Sequence, residues 1–263
     1  MQHTWDANTY DNISNIQKDW ANVIINKERK WTGKEHLLDA GCGSGRVTKI
    51  LAEKITEGNI YAIDSDPNMI EKAKENLKDI KNVKVMQADL LDILSLNIPI
   101  KFNVIFSNAV LHWVLDHRKV FESFYDLLLP NGQLLVQCGG HGNLQKTLSV
   151  FDSVKDLHEF SKYFSKWKFD RNYADSKEDE NILKEIGYKD VKVYLTEAPA
   201  RFNSKRDYSV YLKTVDLRPY LKYLPIEQLQ NEFVNKVLLH MEKYYPNLCW
   251  NLDYMRLTVL ASK

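Results

Sequence analysis

Leu37-Leu38-Asp39-Ala40-Gly41-Cys42-Gly43-Ser44-Gly45-Arg46 is the stretch on which the reading of this chain turns. A short apolar run from His36 to Gly41 has the character of a buried strand, and a helical pattern follows from Val47 to Ile55. Between them three glycines alternate at 41, 43 and 45. Glycine lets the backbone take positive φ and lets a ligand approach the main chain. Strand, glycine-rich turn and helix, in that order, are the parts of a nucleotide site, and three details narrow its kind. The dinucleotide pattern GxGxxG needs glycine at position 46, which is Arg46. The Gly-Lys-Ser/Thr of a phosphate P-loop is absent. Asp39 stands two residues before the first glycine, where a carboxylate repels a pyrophosphate and attracts a cation such as an α-ammonium group. The implied ligand is a nucleoside that carries an amino acid.

Working outward, Asn59 to Asp64 reads as a second strand ending in an acid. Ser65-Asp66-Pro67 opens a helix that runs to about Leu77, with Asp66 as its cap and proline in its first turn. Val83 to Ala88 is a third strand, followed by Asp89, and Phe102 to Ser107 a fourth, followed by Asn108. His117 to Leu129 is a helix closed by Pro130-Asn131-Gly132, and Gln133 to Cys138 a fifth strand. This alternation predicts a parallel sheet covered on both faces, and such sheets bind ligands at the carboxyl ends of their strands. Those ends carry Asp39, Asp64, Asp89 and Asn108. Asp64 is placed to accept from ribose hydroxyls and Asp89 from an adenine amino group, with Met69 and Leu90 against the adenine faces.

Upstream, Tyr10, Ile13, Ile16, Trp20, Val23 and Ile24 recur at near-helical spacing. Downstream, Asp175 to Ile186 is a helix ending at Gly187, and Val191 to Thr196 a strand. Residues 203–245 are helical, broken at Pro219 and Pro225, and Tyr254 to Ala261 is a final strand. Two late strands around a helical insertion predict an antiparallel hairpin at the sheet edge and a cap over the strand ends. The expected organisation is an N-terminal helical arm over 1–35, a cofactor-binding core over 36–138, and the end of the sheet plus a helical substrate cap over 139–263.

Thirty-six Lys and Arg against 35 Asp and Glu leave a net charge of +1, which gives no support for a nucleic-acid surface. The richest basic stretch, Lys27-Glu28-Arg29-Lys30, reads as a solvated helix end. Cys42, Cys138 and Cys249 are widely separated, with no CxxC and no metal-ligand spacing, so free thiols, no metal and a reducing cytoplasmic setting are expected. No leader-like segment is evident near Met1, and no run approaches the roughly 18 apolar residues of a membrane span. Oligomeric state leaves no mark in the pattern.

Taken together, LLDAGCGSGR, IYAIDSDPNMI, VMQADLLD, FNVIFSNAVLHWV and LLLPNGQLLV, in this order over residues 36–138, resemble class I S-adenosylmethionine-dependent methyltransferases. The resemblance implies a Rossmann-like α/β fold: a mostly parallel seven-stranded sheet, helices on both faces, an antiparallel edge hairpin and a helical cap. It implies S-adenosyl-L-methionine as cofactor, with Asp39, Gly41 and Gly43 near the methionine portion, Asp64 on the ribose and Asp89 near adenine. Asn108 lies beneath the sulfonium in that scheme, Tyr10 closes over the cofactor, and Cys42, Ser65, Met69, Ala88 and Leu90 complete the set.

Trp5, Tyr10, Leu111-His112-Trp113, Leu217-Arg218-Pro219-Tyr220-Leu221 and Arg256 to Ala261 resemble the trans-aconitate and insect juvenile hormone acid methyltransferase group. Tyr10-Asp11, Gln17 and Gly142-Asn143-Leu144-Gln145 resemble the malonyl-carrier-protein methyltransferases of biotin synthesis. Both groups esterify carboxylates, so the resemblance implies a small-molecule acid as acceptor, or an acid on a carrier protein. A carboxylate is already ionised at neutral pH and needs donors rather than a general base. Tyr10, His112, Trp113, Arg218, Tyr220 and Arg201 are the candidates, although His112 also suits a structural bond to the backbone and Arg218 a helix end. A hydroxyl, amine or carbon acceptor would call for a base, such as His112 or His141. A non-catalytic protein that only binds the cofactor is the reading of another class. Asn108-Ala109-Val110-Leu111 stands where nucleic-acid methyltransferases carry Asn/Asp-Pro-Pro-Tyr/Phe. Cys42 has no paired histidine and is no nucleophile, and Phe160, Tyr163, Phe164, Trp167 and Phe169 read as cap core.

Overall fold

The alternating apolar runs become one seven-stranded sheet in a computed structural model that describes residues 15–246 and 250–263. In chain order the elements are α1 (Asn15–Lys27), β1 (His36–Ala40), α2 (Arg46–Lys54), β2 (Asn59–Asp64), α3 (Pro67–Leu77), β3 (Val83–Gln87), β4 (Phe102–Asn108), α4 (His117–Leu127) and β5 (Leu128–Gly139). There follow α5 (Gln145–Lys155), α6 (His158–Ser161), α7 (Ser176–Ile186), β6 (Lys189–Glu197), β7 (Ala200–Arg201), α8 (Lys205–Tyr211), α9 (Arg218–Leu221), α10 (Glu227–Tyr244), β8 (Asn251–Leu252) and β9 (Met255–Ser262). They divide into two compact units. The first holds the chain up to His141 with residues 172–196 and 256–263, and the second holds 142–171 and 197–255.

In the first unit the strand order is β3-β2-β1-β4-β5-β9-β6. The pairs from β3 to β5 are parallel and β9 runs antiparallel to β5. The chain builds outward from β1 in both directions, and that reversal opens a crevice at the β1 carboxyl end. Both faces of the sheet are buried. Leu37, Val104, Phe106 and Leu135 pack with Ile24 and Ile25 of α1 and Leu51 of α2. Leu38, Ile105, Leu134 and Val136 pack on the other face with Phe121 and Phe124 of α4 and Leu183 of α7. Neighbouring residues of one strand thus serve opposite layers, which is why these strands read as continuous apolar runs.

Helix ends follow the expected caps. The Asp66 carboxylate accepts from the amides of Asn68 and Met69, with Pro67 opening α3. Asp175 accepts from the Lys177 amide, and Gly187 closes α7 at φ 108°. Two boundaries differ. The helix expected to reach Leu129 stops at Leu127, because Leu128 already pairs with Phe102 and starts β5. Asn131, at φ 63°, donates its amide to the Lys263 carbonyl, so Pro130-Asn131-Gly132 is a kink within β5 rather than a turn before it. Arg29 is also no solvated helix end: it is half-buried over the Trp31 ring and hydrogen-bonds Glu35 and Gln133.

The second unit is mainly helical. α5 packs along α10, and the rings of Phe151, Phe160, Phe164, Tyr220 and Phe233 meet at centroid distances from 5.1 to 6.3 Å. The helical stretch expected over 203–245 resolves into α8, a π-helical turn over Leu212–Asp216, α9 and α10. A two-stranded antiparallel sheet, β7 with β8, was not legible in the sequence. At two residues per strand it carries no periodicity.

Among the described residues no helix is long and apolar enough to cross a membrane. Phe124 is fully buried and Val23 is 47% exposed. Phe124→Ala is expected to cost about 3–5 kcal/mol and Val23→Ala less than about 0.5 kcal/mol, measured by urea denaturation.

Candidate functional site

The glycine turn is shaped by one carbonyl. Gly41 and Cys42 both donate their amides to the Ile63 oxygen, at 2.7 and 2.8 Å, which ties the end of β1 to the end of β2. Gly41 lies at φ 89°, and a Cβ there would sit 2.1 Å from a Val110 methyl, so only glycine fits. Gly43, at φ 54°, has nothing within 4 Å of its would-be Cβ and leaves the backbone open to a ligand. Its amide donates to Asp64 Oδ2 at 2.9 Å, and the Asp66 amide donates to Asp64 Oδ1 at the same distance.

This turn forms the wall of a solvent-open cleft of about 460 Å³, whose lining includes Gln17, Asp39, Gly41, Cys42, Gly43 and Asn108. Of the expected cofactor residues, Asp39, Gly41, Cys42, Gly43 and Asn108 thus share one cleft, with Asp64 bonded to its rim. Ser65, Met69, Ala88, Asp89 and Leu90 continue along the ends of β2 and β3. The Ala88 amide bonds the Asp64 carbonyl, Met69 is buried in α3, and Asp89 caps a 3₁₀ turn over Leu90–Leu96 through the Leu91 amide. Tyr10 and Trp5 lie outside the described residues.

The cleft concentrates buried acid. Asp39 is 2% exposed and accepts from Thr48 Oγ1 at 2.6 Å. Burial pushes its carboxyl up to about 7, against the Thr48 bond and with help from the Asp64 charge. Asp64 is also shifted upward by burial, although the Asp66 and Gly43 amides oppose the shift. Burial and both acids hold the Cys42 thiol well above its ordinary range, so it is protonated and unreactive. Asn108 donates to the Gln17 carbonyl at 3.0 Å, while among the described residues its buried Oδ1 meets no hydrogen-bond donor. Two carboxylates and an idle amide oxygen suit a positively charged ligand with hydroxyl and amine donors.

On the far side of β4, Leu111–Trp113 forms a single 3₁₀ turn. The Gly139 amide donates to His112 Nδ1 at 3.3 Å, and the His112 carbonyl accepts from the Asn172 amide at 2.9 Å. An amide can only donate, so Nδ1 accepts and Nε2 of neutral His112 carries the proton. Trp113 and Tyr173 lie beside the imidazole, at ring centroids 5.2 and 6.1 Å away. The exposed His141 donates its amide to the Ala174 carbonyl.

Arg218 and Tyr220 are placed in the second unit. Arg218 opens α9, and Tyr220 is buried among the rings described above, with its hydroxyl on Asp152 at 3.2 Å. Arg201 is exposed on β7. Phe160 and Phe164 are core, as expected, whereas Phe169 is 42% exposed. Sequence reasoning assigned no role to Thr48 or Phe106 and noted Gln17 only within a resemblance. Thr48 lies on the first turn of α2, where a hydroxyl facing the preceding strand's acid is the one signal that could have found it.

A family profile described as "Methyltransferase domain" matches residues 32–191, more than half of the chain. The chain is 30% identical over 152 residues to malonyl-[acyl-carrier protein] O-methyltransferase 1 of Ilyobacter polytropus, covering 56% of this chain and 54% of that protein. It therefore spans about half the length of such relatives. It is 28% identical over 220 residues to trans-aconitate 2-methyltransferase of Shigella dysenteriae, covering 81% and 79%. Among solved structures it resembles phosphoethanolamine N-methyltransferase 2 of Haemonchus contortus, solved with phosphomonomethylethanolamine and S-adenosylhomocysteine. There the TM-score is 0.60 at 18% identity, covering 98% of this chain and 57% of that one.

The raised Asp39 carboxyl has a signed consequence for the free protein. Between the ordinary carboxylate range and about pH 7 the folded chain holds a proton there that the unfolded chain has lost. Stability contributed by that proton is present at low pH and disappears as pH rises through this window. Asp39→Asn is expected to flatten that fall, so that urea denaturation from pH 4.5 to 7.5 shows wild type losing stability relative to the variant.

Proposed function

The chain belongs to the methyltransferase domain family, and from that premise we propose that it uses S-adenosyl-L-methionine to methylate a carboxylate of a small-molecule acid. The observation that carries the cofactor reading is a pair of carboxylates, the buried Asp39 and the half-buried Asp64, held on either side of the Gly41–Gly43 turn. Asp39 and the idle Asn108 oxygen would hold the cofactor's α-ammonium group, and its positive charge would draw the Asp39 carboxyl into its ionised form. Asp64 accepts one amide per oxygen and keeps lone pairs for ribose hydroxyls. Asp89, Met69 and Leu90 would bound the adenine. Related proteins named for malonyl and trans-aconitate acceptors, and a solved neighbour holding S-adenosylhomocysteine, support the same reading.

When bound, the cofactor supplies an electrophilic methyl group on a sulfonium, and the protein's contribution is alignment and charge. The tautomer of His112, the residue proposed to meet the acceptor, supports an acid over an alcohol. With Gly139 donating to Nδ1, His112 presents Nε2 as a hydrogen-bond donor. To serve there as a general base it would need the other tautomer, which would set two N–H groups against each other. A donor suits an ionised carboxylate, which needs orientation and no deprotonation. The buried free thiols of Cys42 and Cys138 fit a reducing compartment, and the cytoplasm is the proposed setting.

Calorimetric titration with S-adenosylmethionine tests the site. Asp64→Ala is expected to weaken binding at least tenfold, about 1.4 kcal/mol. Binding near pH 6.5 is expected to release a proton, seen as a buffer-dependent enthalpy that Asp39→Asn abolishes. Absence of binding by folded wild type would overturn the cofactor reading. With binding in hand, a methyl-transfer screen of small carboxylic acids, carrier-linked malonyl and matched alcohols tests the acceptor class. Turnover confined to alcohols would sink the carboxylate proposal.

A further inference from the structure

Away from the cofactor cleft, the first unit buries an ion pair that the proposed chemistry leaves unused. His117, the first residue of α4, is 3% exposed, and Asp179, in the first turn of α7, is 1% exposed. His117 Nδ1 lies 3.0 Å from both Asp179 oxygens, and Nε2 lies 2.9 Å from the Leu111 carbonyl. A carboxylate and a backbone carbonyl are both acceptors, so both imidazole nitrogens donate and the ring is a cation. Burial opposes that charge. The Asp179 hydrogen bond and charge, the Leu111 carbonyl and the Glu178 charge outweigh it and shift His117 upward. The other groups facing the pair are the Cys138 thiol on β5, which senses the Asp179 charge, and the Phe121 ring, edge-on at 5.7 Å.

A buried pair of this kind is a poor device for stability alone, since well-packed apolar residues serve as well or better. What it does hold is the Leu111 carbonyl, the first residue of the turn that carries His112 and Trp113. We propose that His117 and Asp179 are positioning residues that lock the Leu111–Trp113 turn so that the His112 imidazole meets the methyl acceptor in a fixed orientation. This inference rests on the methyl-transfer reading above. Three anchors from separate segments converge on the turn: His117 on the Leu111 carbonyl, Gly139 on His112 Nδ1, and Asn172 on the His112 carbonyl. Only the first can be released by losing a proton. Neutral His117 keeps one N–H and cannot satisfy both acceptors, so rising pH frees either Leu111 or Asp179.

The test uses the full chain with His117→Gln, His117→Phe and Asp179→Asn, each shown to be folded by circular dichroism at the assay temperature. The expected result is S-adenosylmethionine affinity within twofold of wild type, a tenfold or greater loss in kcat/KM for the acceptor, and KM rising more than kcat falls. Wild-type kcat/KM is expected to decline on the alkaline side of a titration above the ordinary histidine range, and His117→Gln to lose that limb. His117→Gln, which can still donate to the Leu111 carbonyl, should retain more activity than His117→Phe. Variants that lower only the unfolding midpoint, with acceptor KM and the alkaline limb unchanged, would overturn the proposal and leave a purely structural pair. A readout independent of turnover is amide hydrogen exchange. The Val114 amide, bonded to Leu111 at 2.9 Å, and the Gly139 amide should exchange at least tenfold faster in Asp179→Asn, with β1 and β2 amides unaffected. Unchanged exchange at both positions overturns the positioning role even if wild type transfers no methyl group. Faster exchange in Asp179→Asn, together with a wild type that transfers no methyl group, would instead count against the methyl-transfer reading alone.

Discussion

The Ile63 carbonyl accepts two amides, those of Gly41 and Cys42, and most of the site's geometry descends from that bifurcated bond. It pulls the chain leaving β1 across the end of β2, where Asp64 stands, and it requires Gly41 to take a positive φ hard against Val110 at the end of β4. Three strand ends are thereby brought into one turn. The Gly43 amide then reaches Asp64, and the cleft opens between this turn, Asn108 and the start of α1. No large side chain could substitute for this arrangement, because the constraint is on the backbone and on the space beside it.

That geometry is maintained against an electrostatic cost. Asp39 is removed from water and Asp64 is half-buried, the Asp64 charge further disfavours an ionised Asp39, and the Thr48 hydroxyl and the Gly43 and Asp66 amides offset the cost only in part. A ligand that brings a positive charge would relieve the strain, so in the proposed function the same groups that weaken the free protein would become a source of affinity. The imbalance favours a cationic amino-acid nucleoside over a pyrophosphate, which would add to it.

The Leu111–Trp113 turn, proposed above to meet the acceptor, works by a different principle. There the backbone, not burial, assigns roles: the Gly139 amide decides which His112 nitrogen holds the proton, and the Leu111 carbonyl accepts from a charged histidine as well as from the Val114 amide of its own turn. In the proposed function, cofactor binding and acceptor orientation would therefore depend on separate sets of hydrogen bonds, with β4 as the shared support.

Much of this was legible in the residues alone. The strand order of events from β1 to β5, the Asp66 and Asp175 caps, the Gly187 stop and the acids at the strand ends follow from local periodicity and cap chemistry, which act over a few residues. The kink at Pro130-Asn131-Gly132 was visible as a turn but not as part of a strand, because pairing of Leu128 with Phe102 depends on a partner 26 positions away. Thr48 escaped notice, and Gln17 received no role beyond a resemblance, for the same reason: each matters only through what lies across the cleft. The sequence by itself determined the element pattern and the glycine turn, and it pointed to the chemical type of ligand proposed here. Only tertiary structure decided the tautomer of His112, the charge on His117 and the burial of Tyr220, since each is set by contacts between residues far apart in the chain.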